Sequence, residues 1–136
     1  MQGKVVKMSD AMAWEIPEPE PYHRFMGLMF ERDITPTINM SAGFGTLPPG
    51  QAQQKLSTHE GKEEVYLVFK GKGKFVLDDD VVEVEEGTAV YIAPGCRHRA
   101  INTGDEAMQL FWVNTPPVFG PAGAYLELVE NWKRIR

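Results

Sequence analysis

A chain of 136 residues is close to the commonest size of a single domain, so one domain around one core is the starting expectation. A net charge of −5 and a pI near 5.2 speak against a nucleic-acid surface. No run of about 18 apolar residues occurs, which argues against a membrane-spanning helix. Residues 1–15 lack the apolar stretch of a secretory signal, and the single cysteine, Cys96, allows no internal disulfide, so a cytoplasmic location is the default expectation.

Residues 1–24 read as an irregular, Pro-rich arm. Pro17, Pro19 and Pro21 alternate with Glu18 and Glu20, a pattern that forbids helix and favours an extended segment. Strand-like runs follow at 25–30 and 38–47, interrupted by Thr35-Pro36 and closed by Pro48-Pro49-Gly50. Shorter runs come next at 65–69, 74–77, 81–85, 89–92 and 108–113. Between them lie turn signals: Gly71-Lys72-Gly73, Asp78-Asp79-Asp80, Glu86-Gly87, Pro94-Gly95 and the segment 102–105. Evenly spaced short strands of this kind mark a sandwich or barrel. Residues 116–123 are a loop by composition. Over 124–136, Leu128, Val129, Trp132 and Ile135 recur at helical spacing, so the chain is expected to end in an amphipathic helix whose basic residues, Lys133, Arg134 and Arg136, complement its C-terminus. With no internal repeat, the organisation expected is an arm over 1–24, one barrel over 25–123 and a helix over 124–136.

Two stretches carry the chemistry. The first holds Gly50, Ser57, His59, Glu64 and Gly71; the second holds Gly87, Gly95, His98 and Asn102. Together, in this order and spacing, they resemble the paired motifs of the cupin superfamily, in its small single-domain form. His59 stands where the second motif histidine belongs, four residues precede Glu64, and six more precede Gly71. The second stretch fits with Ala93 in place of a proline. The resemblance implies an all-β fold, a single jelly-roll barrel, with a divalent transition metal (Fe, Mn, Ni, Co or Zn) held by His59, Glu64 and His98. It also implies a small organic molecule bound within, and a homodimer.

The residues support such a site on their own. Glu64, Tyr66 and Val68 share one face of a strand, and Ser57 and His59 share another. Two imidazoles and a carboxylate turned into a small barrel are costly unless paired, and one metal ion satisfies all three. The departure is Ser57, which stands where the family pattern has a further ligand histidine. A hydroxyl is a poor ligand for these metals, which leaves two readings open: a metal held by three side chains, or a barrel that binds an organic ligand without metal.

Tyr66 and Lys55 are the candidate catalytic residues, one as a hydrogen-bond or proton donor, the other as a cation facing an anionic substrate; each also has a plain reading, as packing and as a solvated lysine. Arg97 and Arg99 should point away from the cavity, Asn102 should hold its turn, and His23 should stay solvated. Cys96, with no base or resolving partner in view, reads as inert. The function expected is a metal-dependent small-molecule enzyme of dioxygenase, isomerase, decarboxylase or lyase type. The alternative is a metal-independent binding or sensing barrel. Trp14, Ile16, Phe25 and Met26, taken as exposed apolar residues of the arm and early strands, are the sequence argument for a homodimer.

Overall fold

Buried and more exposed positions alternate along the strands Glu63–Lys70, Ala89–Ile92, His98–Asn102 and Met108–Thr115 of this protein, whereas the strands Arg24–Phe30 and Ser41–Leu47 are buried on both faces over most of their length. The structure, a computed structural model, describes residues 3–31, 35, 37–53, 61–117 and 132–136. A single 3-10 turn at Met8–Asp10 leads into β1 (Met12–Ile16), followed by β2 (Arg24–Phe30), β3 (Ser41–Leu47), β4 (Glu63–Lys70) and β5 (Lys72–Leu77). Then come β6 (Asp80–Glu85), β7 (Ala89–Ile92), β8 (His98–Asn102), β9 (Met108–Thr115) and β10 (Lys133–Arg134). A seven-stranded sheet in the order β10-β1-β2-β3-β9-β4-β7 faces a three-stranded sheet in the order β6-β5-β8, and all their pairings are antiparallel.

The two sheets close on a shared interior. Trp14, Leu28, Val68 and Leu110 from the larger sheet pack with Phe75, Val84 and Ala100 from the smaller one. Burying each large apolar side chain contributes about 1.5–3 kcal/mol. This is the all-β jelly-roll barrel expected from the sequence. In β4 the alternation is complete: Glu64, Tyr66 and Val68 are buried while Val65 and Leu67 are exposed. Gly71 permits the tight β4–β5 turn. Its φ of 81° suits glycine, and a Cβ there would stand 2.7 Å from the Ala107 carbonyl oxygen.

Two expectations change. The arm contains a strand, because the prolines begin only at Pro17 and leave residues 12–16 free to pair with β2 in the register Trp14↔Met26. The C-terminal helix is not seen. Residues 124–131 lie outside the described residues, and the end of the chain is extended, with Trp14 opposite Arg134 and Glu15 opposite Lys133. Lys133 and Arg134 lie in a strand. Arg134 lies over the Trp14 ring, 5.4 Å from its centroid, and Arg136 donates to the carbonyls of Ala11 (3.1 Å) and Met8 (2.9 Å).

Candidate functional site

β4 turns Glu64 into the barrel, and β8 brings His98 in from the facing sheet, opposite Leu77 of β5. Both side chains are almost fully enclosed, at 4% and 1% exposure. His98 Nε2 stands 2.9 Å from Glu64 Oε1, and His98 Nδ1 stands 3.1 Å from the Cys96 carbonyl oxygen. A carbonyl only accepts, so Nδ1 carries the proton and Nε2 is aimed at the carboxylate. With that tautomer the neutral ring brings its Nε2 lone pair within 2.9 Å of a carboxylate oxygen, an arrangement that a proton or a metal ion shared by the two would relieve. Burial works to lower the His98 pKa, but the hydrogen bonds to Glu64 and to the Cys96 carbonyl, with the Glu64 charge, outweigh it and hold it above its usual value. Two ligands held at about 2.1 Å and at right angles on one ion stand about 3.0 Å apart, so the same pair also fits as two ligands of one metal.

Tyr66 follows Glu64 by one inward step along β4. Its ring lies 6.1 Å from the His98 ring and 5.2 Å from the Phe75 ring, centroid to centroid. The phenol donates to Glu64 and accepts from the Gln53 side chain. Burial first, then the negative charge of Glu64, pushes its pKa well above the ordinary range, so it stays protonated. Gln53 is held in turn: its Oε1 accepts from the Ala100 backbone N–H at 2.8 Å, and its own N–H donates to the Ala100 carbonyl at 3.0 Å. A polar row continues across the larger sheet. Asn114 pairs with Glu64 on one side and with Ser41 on the other, and both are enclosed.

The structure thus brings Glu64, His98 and Tyr66 together. His59, Lys55 and Ser57 lie outside the described residues. Among the described residues no group of three His, Cys, Asp or Glu side chains converges. Gln53 went unnoticed in the sequence. It shares strand parity with Ser57 and His59, so parity was the signal available. Asn102 holds its turn as expected, donating to the carbonyls of Leu47 and Glu106 and accepting from Gly104 N–H, each at 2.8 Å. Arg97 is external, where it meets Asp78 and Asp79. His23 is half-buried and pairs with Glu15 at 2.8 Å, so it is not merely solvated. Trp112 is buried in the core cluster.

A family described as Cupin domain matches residues 43–114, more than half of the chain. The chain belongs to the cupin family. Among curated proteins, this cupin is 44% identical over 108 residues to a glucose-6-phosphate isomerase of Thermococcus litoralis, an alignment covering 76% of this chain and 54% of the relative. It therefore spans about half the length of that relative. An uncharacterized protein of Methanocaldococcus jannaschii is 27% identical over 107 residues, covering 76% of this cupin and 85% of the relative. Among solved structures, a Thermotoga maritima protein described as a predicted oxalate decarboxylase superposes with a TM-score of 0.72 at 21% identity, covering 83% of this cupin and 99% of that chain. A cupin 2 conserved barrel domain protein of Rhodopseudomonas palustris gives 0.69 at 13% identity, covering 87% and 81%. These two superpositions speak for the fold alone. Among the described residues no helix is long and apolar enough to cross a membrane.

Proposed function

We propose that this cupin is a metal-dependent enzyme that isomerises a small phosphorylated sugar, moving a carbonyl between adjacent carbons. The observation that carries the reading is the enclosed His98–Glu64 pair, its Nε2 standing 2.9 Å from a carboxylate oxygen while Nδ1 is held by the Cys96 carbonyl. Its donor chemistry suits a divalent transition metal, with His59 as the third ligand. When bound, such an ion would polarise the substrate's carbonyl oxygen. The choice of isomerisation over the other reactions of the fold rests on the glucose-6-phosphate isomerases at 44% identity.

The chain's own residues have definite parts. Tyr66, kept protonated and anchored by Gln53 and Glu64, offers a phenol beside the pair that can hold a substrate hydroxyl or carbonyl oxygen. Enclosure of Glu64, Tyr66 and His98 keeps bulk water from competing for those contacts. A second reading, ligand binding without turnover, is favoured by Ser57 in the place of a ligand histidine.

The test is a coupled assay of aldose and ketose phosphate interconversion over four-, five- and six-carbon substrates, run on metal-loaded and chelator-treated protein. The expected result is turnover of at least one pair that chelation abolishes and added metal restores. Saturable binding of the same compounds with no turnover under any metal would favour the second reading.

A further inference from the structure

We infer that Asn114 is a ligand-contacting residue of the barrel interior, its carboxamide oxygen accepting a hydrogen bond from a hydroxyl of the small molecule bound beside Glu64. The inference rests on the proposal that the barrel takes a sugar phosphate, and it says which part of that molecule lies at this end of the site.

Asn114 lies near the end of β9, a strand whose alternate residues are buried. Met108, Leu110 and Trp112 share its parity and belong to the core cluster, so the Asn114 side chain faces the barrel interior. Its register partner on β4 is Glu64. Residues directly opposite each other in an antiparallel pair hold their Cβ atoms about 4.5–5.5 Å apart on one face, so carboxamide and carboxylate leave the sheet side by side. The row continues to Ser41 of β3 on one side and, past Glu64, to Ile92 of β7 on the other, and all four residues are buried.

Asn114 Oδ1 is enclosed and has no hydrogen-bond partner among the described residues. Asn102 supplies the contrast within the same barrel, because both asparagines are 2% exposed. The Asn102 carboxamide is fully used, with Nδ2 donating to the carbonyls of Leu47 and Glu106 and Oδ1 accepting from Gly104 N–H. One asparagine is structural; the other holds a spare acceptor, which is costly to bury unmet. An amide oxygen only accepts, so its partner must bring an O–H or N–H group. A phosphate dianion or a carboxylate brings none, whereas every hydroxyl of a sugar does. The ligand therefore lies with hydroxylated carbons at Asn114 and Glu64 and with its phosphate elsewhere.

Calorimetric titration of sorbitol 6-phosphate and ribitol 5-phosphate will test this, since both carry the hydroxyls but no carbonyl to isomerise. It should be run on wild type, Asn114→Val and Asn114→Thr, each metal-loaded and chelator-treated, alongside thermal unfolding of the ligand-free proteins. Valine and threonine have one shape and differ by a single hydroxyl. Wild type should bind at least one probe in at least one metal state. N114V should weaken that binding by about tenfold or more, and N114T should recover part of it. Stability should run the other way: ligand-free N114V should have a Tm equal to or above that of N114T, because it buries no unmet hydroxyl. Malonate, which has no hydroxyl, should not distinguish the two variants. Equal affinity of N114V and N114T for the probes, no binding of either probe by wild type, or a preference of malonate for N114T would overturn the inference. So would a higher Tm for N114T than for N114V, which would show that a buried water or a protein group already satisfies the position. Wild type that binds a probe through Asn114 but interconverts no sugar phosphates would count against the proposed reaction alone.

Discussion

Cys96 shows how position within one turn separates a reactive residue from an inert one. It sits two residues before His98, yet burial, followed by its hydrogen bond to Asp78 and the charge of Asp78, pushes the thiol pKa up from the ordinary value. Thiolate is the reactive form, so alkylation by iodoacetamide should be slow near neutrality and still rising above about pH 8.5, where a free cysteine is already half ionised. A rate that levels off below that pH would mean that the thiol is activated. At this scale the sequence was legible wherever strand parity applied. Alternation alone put Glu64 and Tyr66 on one face, and the pairing of His98 with Glu64 followed the motif spacing. The anchors of these groups were not legible. The Cys96 carbonyl that fixes the His98 tautomer is a backbone atom, and Gln53 acts through a contact between distant segments.

Strands β2 and β3 approach so closely that Gly43 becomes a steric requirement. A Cβ on Gly43 would stand 2.1 Å from the Gly27 carbonyl oxygen and 2.7 Å from the Trp112 ring. A Cβ on Gly45, two residues along the same strand, would have its nearest neighbour at 3.9 Å. Gly43→Ala should therefore destabilise the fold at the upper end of the roughly 1–3 kcal/mol typical of overpacking. Gly45→Ala should be near neutral. Thermal unfolding checks both, with a Tm fall of about 10 °C for the first substitution; equal effects would contradict the packing described here. Local signals served well for the middle of the chain, where turn residues bracket β4 to β7. They failed at the ends for a physical reason. β1 and β10 pair with each other across almost the whole sequence, and a partner so distant leaves no local signal in the residues of either strand.

At the scale of the whole molecule, the homodimer remains a proposal but its basis moves. Trp14, Ile16 and Met26, expected to need a partner, are buried within their own barrel. Among the described residues an apolar patch is left on the outside of β4 and β7, where Val65, Leu67 and Tyr91 are exposed and adjacent in register; Val81 and Val82 of β6 are exposed as well. A second copy covering that face should give a dimer by light scattering at tens of micromolar that Leu67→Glu converts to monomer with the fold retained. A wild-type monomer at that concentration would contradict it. The central claim is that the barrel encloses a metal held in part by His98 and Glu64. The most direct measurement is the metal content of protein purified without added metal or chelator, compared between wild type and His98→Gln. Glutamine keeps a donor toward Glu64, so the variant avoids the roughly 3–5 kcal/mol cost of leaving a buried carboxylate without a partner. The account predicts one transition-metal ion per wild-type chain and almost none in the folded variant. Wild-type protein that holds no metal even after incubation with Fe, Mn, Ni, Co and Zn, or a variant that keeps its full complement, would contradict it.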